Sequence, residues 1–359
     1  MTDIFHNSFE RARRRDLQLL IQLAHGVGLT SASKKQKDPK KHMRITRLAP
    51  QTKKRKHAIE HDIRITVVER VDLEALKYLI DNVATIEKPD QRTKFLNYAY
   101  RVLTEDGEQE VNYYIPSYGF GRHYPDVVCL QGLDRRLRST LARDLYWDID
   151  VSNAHPVVLY AIAAENGWPS HCLRDYIGHR EELLNSIPLP RKLAKQLMLQ
   201  QMYGGVVRNF ILQQLEKKTI EGTANDWMKR IPKFVFNYGA EVRNMSALVP
   251  AAYPDVAEAA ASDIGSKKST NLSARTLSIL VQTRETEAVM AAIEFMQKRG
   301  WTLGVMMHDG FMVYKRDSEN IFINQLLLNG LRQTVKDKCH LEIDFELKEF
   351  EAPYEIVKK

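Results

Sequence analysis

Two apolar segments that carry carboxylates constrain the fold of this chain more than any other feature of its sequence. Asp148 and Asp150 end the apolar part of the run LYWDIDVS, and Asp309 lies in a tight turn between the apolar runs TLGVMM and FMVYK. Short runs of this kind, bounded by turn residues, predict strands that are buried in a sheet. Carboxylates beside buried strands are costly to desolvate, and a divalent cation is the usual compensation. The sequence therefore predicts buried strands whose carboxylates form either a metal site or, since neither motif is specific by itself, an ordinary Asp-x-Asp and an ordinary turn.

The segments around these strands show the periodicity of helices. Apolar residues recur at helical spacing over residues 71–82 and 90–103, with Asp72 and Asp90 as the expected N-caps. A long helix is predicted over residues 274–298. Several helices combined with a few short strands predict a fold of the α+β class.

A further predicted helix, residues 190–203, carries cations on one face. It begins with proline and ends at a glycine pair, which are typical of helix ends. Arg191 and Lys195 lie one turn apart, and Tyr203 projects from a similar side. Two cations at this spacing suit a triphosphate, and a tyrosine at the helix end suits stacking on a base or sugar. An ordinary amphipathic helix with solvated cations is the alternative.

The net charge of +8 is concentrated at the N-terminus. Residues 1–60 contain 15 lysine and arginine residues but five acidic residues, whereas residues 61–359 carry a small excess of acidic residues. A basic segment attracts polyanions, of which nucleic acid is the commonest. The sequence therefore predicts either a nucleic-acid-binding arm or a solvated leader, built from a short helix over residues 7–24 and a flexible basic linker over residues 30–56.

The composition also argues against several classes of protein. No apolar run approaches the length of a membrane span, and the first residues lack the apolar core of a secretory signal. The three cysteines are widely separated and form no Cys-x-x-Cys pair, so neither a disulfide framework nor a zinc knuckle is indicated. We therefore expect a cytoplasmic protein with reduced thiols and no membrane partner.

Four ordered motifs give the chain a resemblance to a known family. They are Gly121-Arg122 with Leu130-Gln131, Asp150-Val-Ser-Asn-Ala-His155, Arg191-x₃-Lys195-x₇-Tyr203-Gly204 and His308-Asp309. With these motifs in this order and spacing, the chain resembles the family A nucleic-acid polymerases. This family contains bacterial replication and repair DNA polymerases and is related to single-subunit phage RNA polymerases. The resemblance extends from about residue 118 to the C-terminus.

The resemblance implies which residues bind metal and nucleotide. Asp150 and Asp309 would hold two Mg²⁺ ions, for which Mn²⁺ is an expected substitute. Asp148 would be an auxiliary ligand or, as we favour, a solvated charge. Lys195 and Arg191 would bind the incoming triphosphate, and Lys195 would also protonate the leaving pyrophosphate.

The resemblance also implies contacts with the nucleic acid. Tyr203 would contact the nascent base pair. The residues expected near the primer-template duplex are Arg122, Gln131, Gln282 and His308. Among these, Gln282 is similar to a glutamine that the family carries on the long helix before the His-Asp motif, although its neighbours differ.

Two positions in the nucleotide-binding motifs depart from the pattern of the DNA polymerases. His155 stands where those enzymes carry a glutamate that excludes the ribose 2′-hydroxyl. Leu199 stands where they carry an aromatic residue, and it is closer to the pattern of the phage RNA polymerases. The Gly-Arg and Leu-Gln element favours DNA synthesis. DNA polymerase is therefore the preferred interpretation, and an RNA-synthesising primase or RNA polymerase is the alternative.

The resemblance implies a right-hand polymerase fold of the α+β class. Residues 118–164 and 274–359 would form a palm with a small antiparallel sheet, and residues 165–273 would form helical fingers. Residues 61–117 would form a reduced, thumb-like helical region after the basic residues 1–60. The residues before the palm are too few and too basic for the exonuclease of the family, so we expect a minimal member without proofreading. A phage or mobile element is a suitable source, in which case the host-cell cytoplasm is the expected location.

The expected function is template-directed nucleotidyl transfer in DNA replication, with primer-template nucleic acid and nucleoside triphosphates as partners. A catalytically inactive nucleic-acid-binding protein of the same fold is a second interpretation. A metal-dependent glycosyltransferase built on Asp148 and Asp150 is a third, but it leaves the helix over residues 190–203 and the His308-Asp309 pair without a role. Protein partners are not indicated by the sequence.

Overall fold

The computed structural model describes Gln18 and residues 63–105, 107–264, 271–315, 323–350 and 353–356. Apart from Gln18, the predicted N-terminal helix and the predicted basic linker lie outside the described residues. The described ranges combine many helices with two small antiparallel sheets, which confirms the predicted α+β class. No helix in these ranges is both long and apolar enough to cross a membrane.

The first described region contains two strands that flank two helices. In chain order its elements are β1 (Ile63–Arg70), α1 (Leu73–Asp81), α2 (Pro89–Thr104) and β2 (Glu108–Tyr114). Strands β1 and β2 are antiparallel, and the two-residue strand β3 (Tyr124–Pro125) pairs with the other edge of β2. The three strands form one small sheet of order β1-β2-β3.

Strand β1 is an element that the sequence analysis did not predict in the helical region over residues 61–117. In β1, Val67 and Glu69 are both buried, whereas the residues on either side of each are exposed. A glutamate at a buried position hides the two-residue alternation by which a half-buried strand is recognised. The helices of this region were predicted, and its first strand was not.

The two helix starts of this region differ in how well the sequence located them. Asp72 caps α1 as predicted, since its Oδ1 accepts hydrogen bonds of 2.9 and 3.0 Å from two backbone N–H groups of the first turn. The predicted cap Asp90 was wrong: α2 begins at Pro89, and Lys88 is the N-cap. Proline favours the first helical position because the N–H that it lacks would remain unpaired there.

Glu69 is a fully buried carboxylate with an incomplete set of partners. Its Oε2 accepts hydrogen bonds from the backbone N–H of Leu130 at 3.0 Å and from the hydroxyl of Tyr98 at 3.3 Å. Among the described residues, its Oε1 has no hydrogen-bond partner. Burial raises the pKa of Glu69 to about 8, since the charged form is poorly solvated. The carboxyl group is therefore mainly protonated at neutral pH.

We predict that Glu69→Gln makes the stability of the protein less dependent on pH. In the unfolded chain this carboxyl loses its proton near its ordinary pKa of 4.5, whereas in the folded protein it keeps the proton up to about pH 8. The wild type therefore loses stability as the pH rises from 5 to 8, by up to about 4 kcal/mol, and the neutral glutamine avoids this loss. Urea unfolding at both pH values measures the difference, with the exposed Glu110→Gln as control. Equal pH dependence in wild type and Glu69→Gln would contradict the prediction.

A four-stranded antiparallel sheet carries the aspartates singled out in the sequence. In spatial order its strands are β5 (Leu303–Met306), β6 (Gly310–Tyr314), β4 (Tyr146–Ser152) and β7 (Asp344–Lys348). Asp150 of β4 pairs with Gly310 of β6 on one side and with Glu346 of β7 on the other. The predicted strands on both sides of the His-Asp-Gly turn, and the predicted small antiparallel sheet, are confirmed.

The other helices in the described ranges build most of a larger core. In chain order they are α3 (Arg135–Ala142), α4 (Ala154–Glu165), α5 (His171–Gly178), α6 (Arg180–Ser186), α7 (Arg191–Met202), α8 (Val207–Glu216), α9 (Ala224–Arg230), α10 (Lys233–Ala252), α11 (Pro254–Ile264), α12 (Leu272–Lys298) and α13 (Gln325–Cys339). The long helix α12 packs against α4, α10, α11 and α13. Its predicted span, residues 274–298, begins two residues late and ends correctly.

Candidate active site

Asp150 lies on β4 of the four-stranded sheet, Asp309 lies in the turn between β5 and β6, and both line the same cleft. Asp309 directly precedes β6, and its backbone carbonyl accepts a hydrogen bond of 2.8 Å from the N–H of Val151 on β4. The cleft has a volume of about 670 Å³. A smaller cavity of about 250 Å³ is lined by the same two aspartates together with Asp148. The fold thus brings together the three carboxylates that the sequence singled out.

Mutual repulsion adds to the effect of burial on two of these carboxylates. Burial raises the pKa of Asp150, and the negative charge of Asp309 raises it further. Burial and the charge of Asp150 raise the pKa of Asp148 to about 6. Crowded carboxylates favour a bound cation, and aspartate oxygens are ligands that Mg²⁺ prefers. The oxygen donors of Asp150 and Asp309 therefore fit a divalent cation.

Lys348, at the end of β7, acts as a counter-ion to Asp150. Its Nζ donates a hydrogen bond to Oδ2 of Asp150, and its Cα lies opposite that of Asp148 in the register of β4 and β7. The Lys348 side chain is 37% exposed, and that of Asp150 is 13% exposed. Within the described ranges, no group of three or more His, Cys, Asp or Glu side chains is arranged to hold a metal ion. Of the three aspartates, Asp150 is the one for which the described residues show an ion pair, with Lys348.

Helix α7 contributes cations to the same cleft. Lys195 is half-buried, and its pKa is lowered by burial and by the neighbouring charge of Arg180. The guanidinium of Arg191 donates hydrogen bonds of 2.6 and 2.9 Å to the carboxylate of Glu181. Leu199 is exposed and lines the cleft as well. Lys195, Arg191 and Leu199 therefore lie in the cleft of the aspartates, and their contacts with a nucleotide stay predictions.

A buried ionic network joins the Gly-Arg motif to helix α12. Glu285, which is 1% exposed, accepts hydrogen bonds of 2.7 and 2.9 Å from the guanidinium of Arg122. The Nε2 of His155 lies 3.0 Å from Oε1 of Glu285 and 3.0 Å from Nη2 of Arg122. The Nδ1 of His155 lies 2.8 Å from the hydroxyl oxygen of Tyr203. One carboxylate therefore positions both the arginine and the histidine.

This network fixes the orientation of His155. Burial raises the pKa of Tyr203, so its hydroxyl stays protonated and can donate to Nδ1. His155 lines the cleft, whereas Tyr203 is not part of the cleft wall. The predicted contact of Tyr203 with a base pair therefore gains no support here and stays a prediction.

The other residues predicted to contact nucleic acid have partners within the protein. Gln131 donates to a backbone carbonyl of β5 at 2.9 Å, and Gln282 donates to a serine hydroxyl one turn earlier in α12 at 3.1 Å. His308 packs edge-on against Tyr124, with ring centroids 6.0 Å apart, and burial lowers its pKa. None of these three predicted residues lines the cleft, and their contacts with nucleic acid stay predictions.

Sequence analysis missed six charged residues that line the cleft, which are Arg135, Arg180, Glu181, Glu285, Glu346 and Lys348. Glu285 lies one helical turn after Gln282, so the helical period could have indicated it as an alternative on the same face. Lys348 becomes a neighbour of the aspartates through the pairing of β7 with β4, which sequence periodicity does not define. Arg180 begins a short helix that no sequence pattern marked.

The chain was also compared with known proteins. No family model matches the chain. No curated protein matches it in sequence. Among solved structures, the chain is similar to the POL domain of Pol1 from M. smegmatis, solved in complex with DNA primer-template and dNTP, with a TM-score of 0.42 and 14% identity. That match covers 97% of this chain and 66% of the other, so the chain spans somewhat less than two thirds of that structure's length.

Proposed function

We propose that this protein is a template-directed nucleotidyltransferase, which extends a nucleic-acid strand with nucleoside triphosphates and releases pyrophosphate. The observation that carries the proposal is the shared cleft of Asp150, Asp309 and Lys195. Phosphoryl transfer requires carboxylates that bind divalent cations next to cations that bind phosphate oxygens. Both kinds of group line this cleft, and the order of the four sequence motifs supports the same activity.

Four charged groups that line the cleft, Asp150, Asp309, Lys195 and Arg191, have a part in the proposed reaction. Asp150 and Asp309 would hold two Mg²⁺ ions, which when bound supply activation of the attacking hydroxyl and stabilisation of the leaving group. Lys195 binds the triphosphate and donates a proton to pyrophosphate, for which its lowered pKa is favourable. Arg191 exchanges its carboxylate partner, Glu181, for phosphate oxygens, which its planar guanidinium matches equally well.

The proposal includes a palm and fingers arrangement. The four-stranded sheet supports this arrangement, because β4 comes from the proposed first part of the palm, residues 118–164, and the other three strands come from its proposed second part, residues 274–359. The helices between these segments, which include α7, would be the fingers. We propose that the basic residues 1–60 contact nucleic acid through their charge.

DNA synthesis is the preferred form of this activity, and RNA synthesis is the second candidate. The Gly-Arg and Leu-Gln motif of the sequence supports DNA synthesis, and Glu285 holds Arg122 of this motif in the cleft. His155 favours RNA synthesis, because an imidazole in the cleft is held at the position where a carboxylate would exclude a 2′-hydroxyl. The sugar of the accepted nucleotide separates the two forms.

The test is extension of a labelled primer by the full-length protein with Mg²⁺. DNA and RNA templates are supplied separately, each with dNTPs or with NTPs, and reactions without primer are included. We expect stepwise extension with dNTPs on the DNA template, and no extension when EDTA removes the metal. Incorporation of NTPs alone would instead establish RNA synthesis.

One outcome would contradict catalysis altogether. No incorporation in any combination, together with tight and salt-sensitive binding of nucleic acid, would indicate a binding protein without turnover. Salt sensitivity is the relevant measurement, because counterion release makes binding to phosphates fall steeply with salt concentration.

A further inference from the structure

Lys348 lies where it interferes with cation binding at Asp150. Its Nζ donates a hydrogen bond to Oδ2 of Asp150. The side chain of Asp150 is mostly buried, whereas that of Lys348 is partly exposed. An ammonium group and a metal ion compete for the same carboxylate, because they use the same oxygen lone pairs and repel each other. A divalent cation therefore binds this carboxylate fully only after Lys348 has moved.

Lys348 lines both cavities, and Asp150 and Asp309, which attract its ammonium group, line both as well. The smaller cavity adds the carboxylate of Asp148. The larger cleft adds the cations Lys195 and Arg180, which would share a bound polyanion with Lys348. The side chain of lysine is long and flexible, so Nζ can move between these surroundings without a change in the backbone.

We propose that Lys348 is a built-in counter-ion that competes with the divalent cation for Asp150 and couples cation binding to triphosphate binding. The inference rests on the proposed function, because it takes Asp150 and Asp309 as the cation ligands. Without a nucleotide, Lys348 holds Asp150 and the cation binds weakly. When a triphosphate enters the cleft, its oxygens accept hydrogen bonds from Lys348 and release the aspartate.

This coupling is reciprocal. A triphosphate that binds the state with Lys348 released raises the affinity for the cation, and the cation raises the affinity for the triphosphate by the same factor. The consequence is a cleft that holds cation and nucleotide together or neither. Removing the ammonium group should therefore remove the barrier to cation binding in the absence of nucleotide.

The test is binding of Mn²⁺ to the full-length protein without nucleotide, measured from the electron paramagnetic resonance signal of free Mn²⁺. Lys348→Met keeps an unbranched apolar side chain and removes the ammonium group. We expect Lys348→Met to bind Mn²⁺ about tenfold more tightly than the wild type, since one partly buried ion pair no longer has to be broken. Lys348→Gln, which can still donate a hydrogen bond, should show the same direction of change.

Two other lysines serve as controls. Lys195→Met removes one positive charge from the same cleft but no hydrogen bond to Asp150, and Lys336→Met breaks an ion pair with Glu342 on the surface. We expect a much smaller gain in affinity for Lys195→Met and none for Lys336→Met. Thermal unfolding with and without Mn²⁺ gives a second measurement, because a ligand that binds the folded state raises the melting temperature.

Two results would overturn the inference. One is an unchanged Mn²⁺ affinity in both Lys348 variants, and the other is an equal gain in Lys195→Met, which would indicate a general effect of charge. Asp309→Asn separates the inference from the proposed function. If Asp309→Asn binds Mn²⁺ more weakly than the wild type while both Lys348 variants keep the wild-type affinity, the role of Lys348 as a counter-ion is overturned and the proposed function is not. Tighter binding in Lys348→Met, in a protein that extends no strand, would instead contradict the polymerase activity.

Discussion

Replacing Gly310 by alanine is expected to force β4 and β6 apart and to slow strand extension at least about a hundredfold. Gly310 begins β6 directly after Asp309, and it pairs with Asp150. A Cβ atom at this position would overlap the backbone carbonyl oxygen of Ile149 and lie 3.0 Å from the Cα of Asp150. Both atoms belong to the backbone of β4, so no side-chain rotation relieves the overlap.

The displacement acts directly on the proposed cation ligands, because the overlap lies between Asp150 and Asp309. Overpacking of this kind destabilises a protein by about 1–3 kcal/mol. A displacement of about 1 Å in an active site is enough to lower a rate by about a hundredfold. We therefore expect Gly310→Ala to show at least about a hundredfold slower extension and a lower melting temperature.

Gly178→Ala is the matched control for this substitution. A Cβ atom at Gly178, the last residue of α5, has no heavy atom within 4 Å. Its extension rate and melting temperature should therefore remain close to those of the wild type. Primer-extension rates and thermal unfolding curves of both variants provide the measurement. Wild-type extension by Gly310→Ala would show that the close approach of β4 and β6 is not needed.

The parts of the fold that depend on local sequence were predictable. The cap of α1 by Asp72 follows from a side chain that bonds to its own first turn. The strands on either side of Asp309 and the long helix α12 follow from apolar periodicity within one segment. In each case the residues that determine the structure are close together in the chain.

The parts of the site that depend on pairing between distant segments were not predictable. Lys348 reaches Asp150 because β7 pairs with β4 in one register, and a shift by one residue would turn its side chain to the other face. Glu285 contacts Arg122 and His155, and the three residues come from three separate segments of the chain. The sequence contains these charged residues but not their neighbours, so their partners emerge only from the tertiary structure.

Asp309→Asn is expected to slow strand extension by roughly 10³-fold without weakening the fold. Asparagine has the size of aspartate, and the hydrogen bond from Val151 is made to the backbone carbonyl of residue 309, so it remains. The substitution removes one of the two charges proposed to bind the cations. We expect roughly a 10³-fold loss of the extension rate, which corresponds to about 4 kcal/mol of transition-state stabilisation.

Unlike the extension rate, the stability of Asp309→Asn should not fall. The charge of Asp309 raises the pKa of Asp150, which means that the two carboxylates repel each other in the folded protein. Removing that repulsion should leave the melting temperature without metal unchanged or raise it, whereas a catalytic loss caused by misfolding would lower it. Asp344→Asn, at the start of β7 with Arg332 as its partner at 3.1 Å, controls for loss of an acidic residue from the same sheet. A protein that keeps its extension rate in Asp309→Asn would contradict the assignment of this aspartate, because an amide cannot supply the negative charge that the proposed cations require.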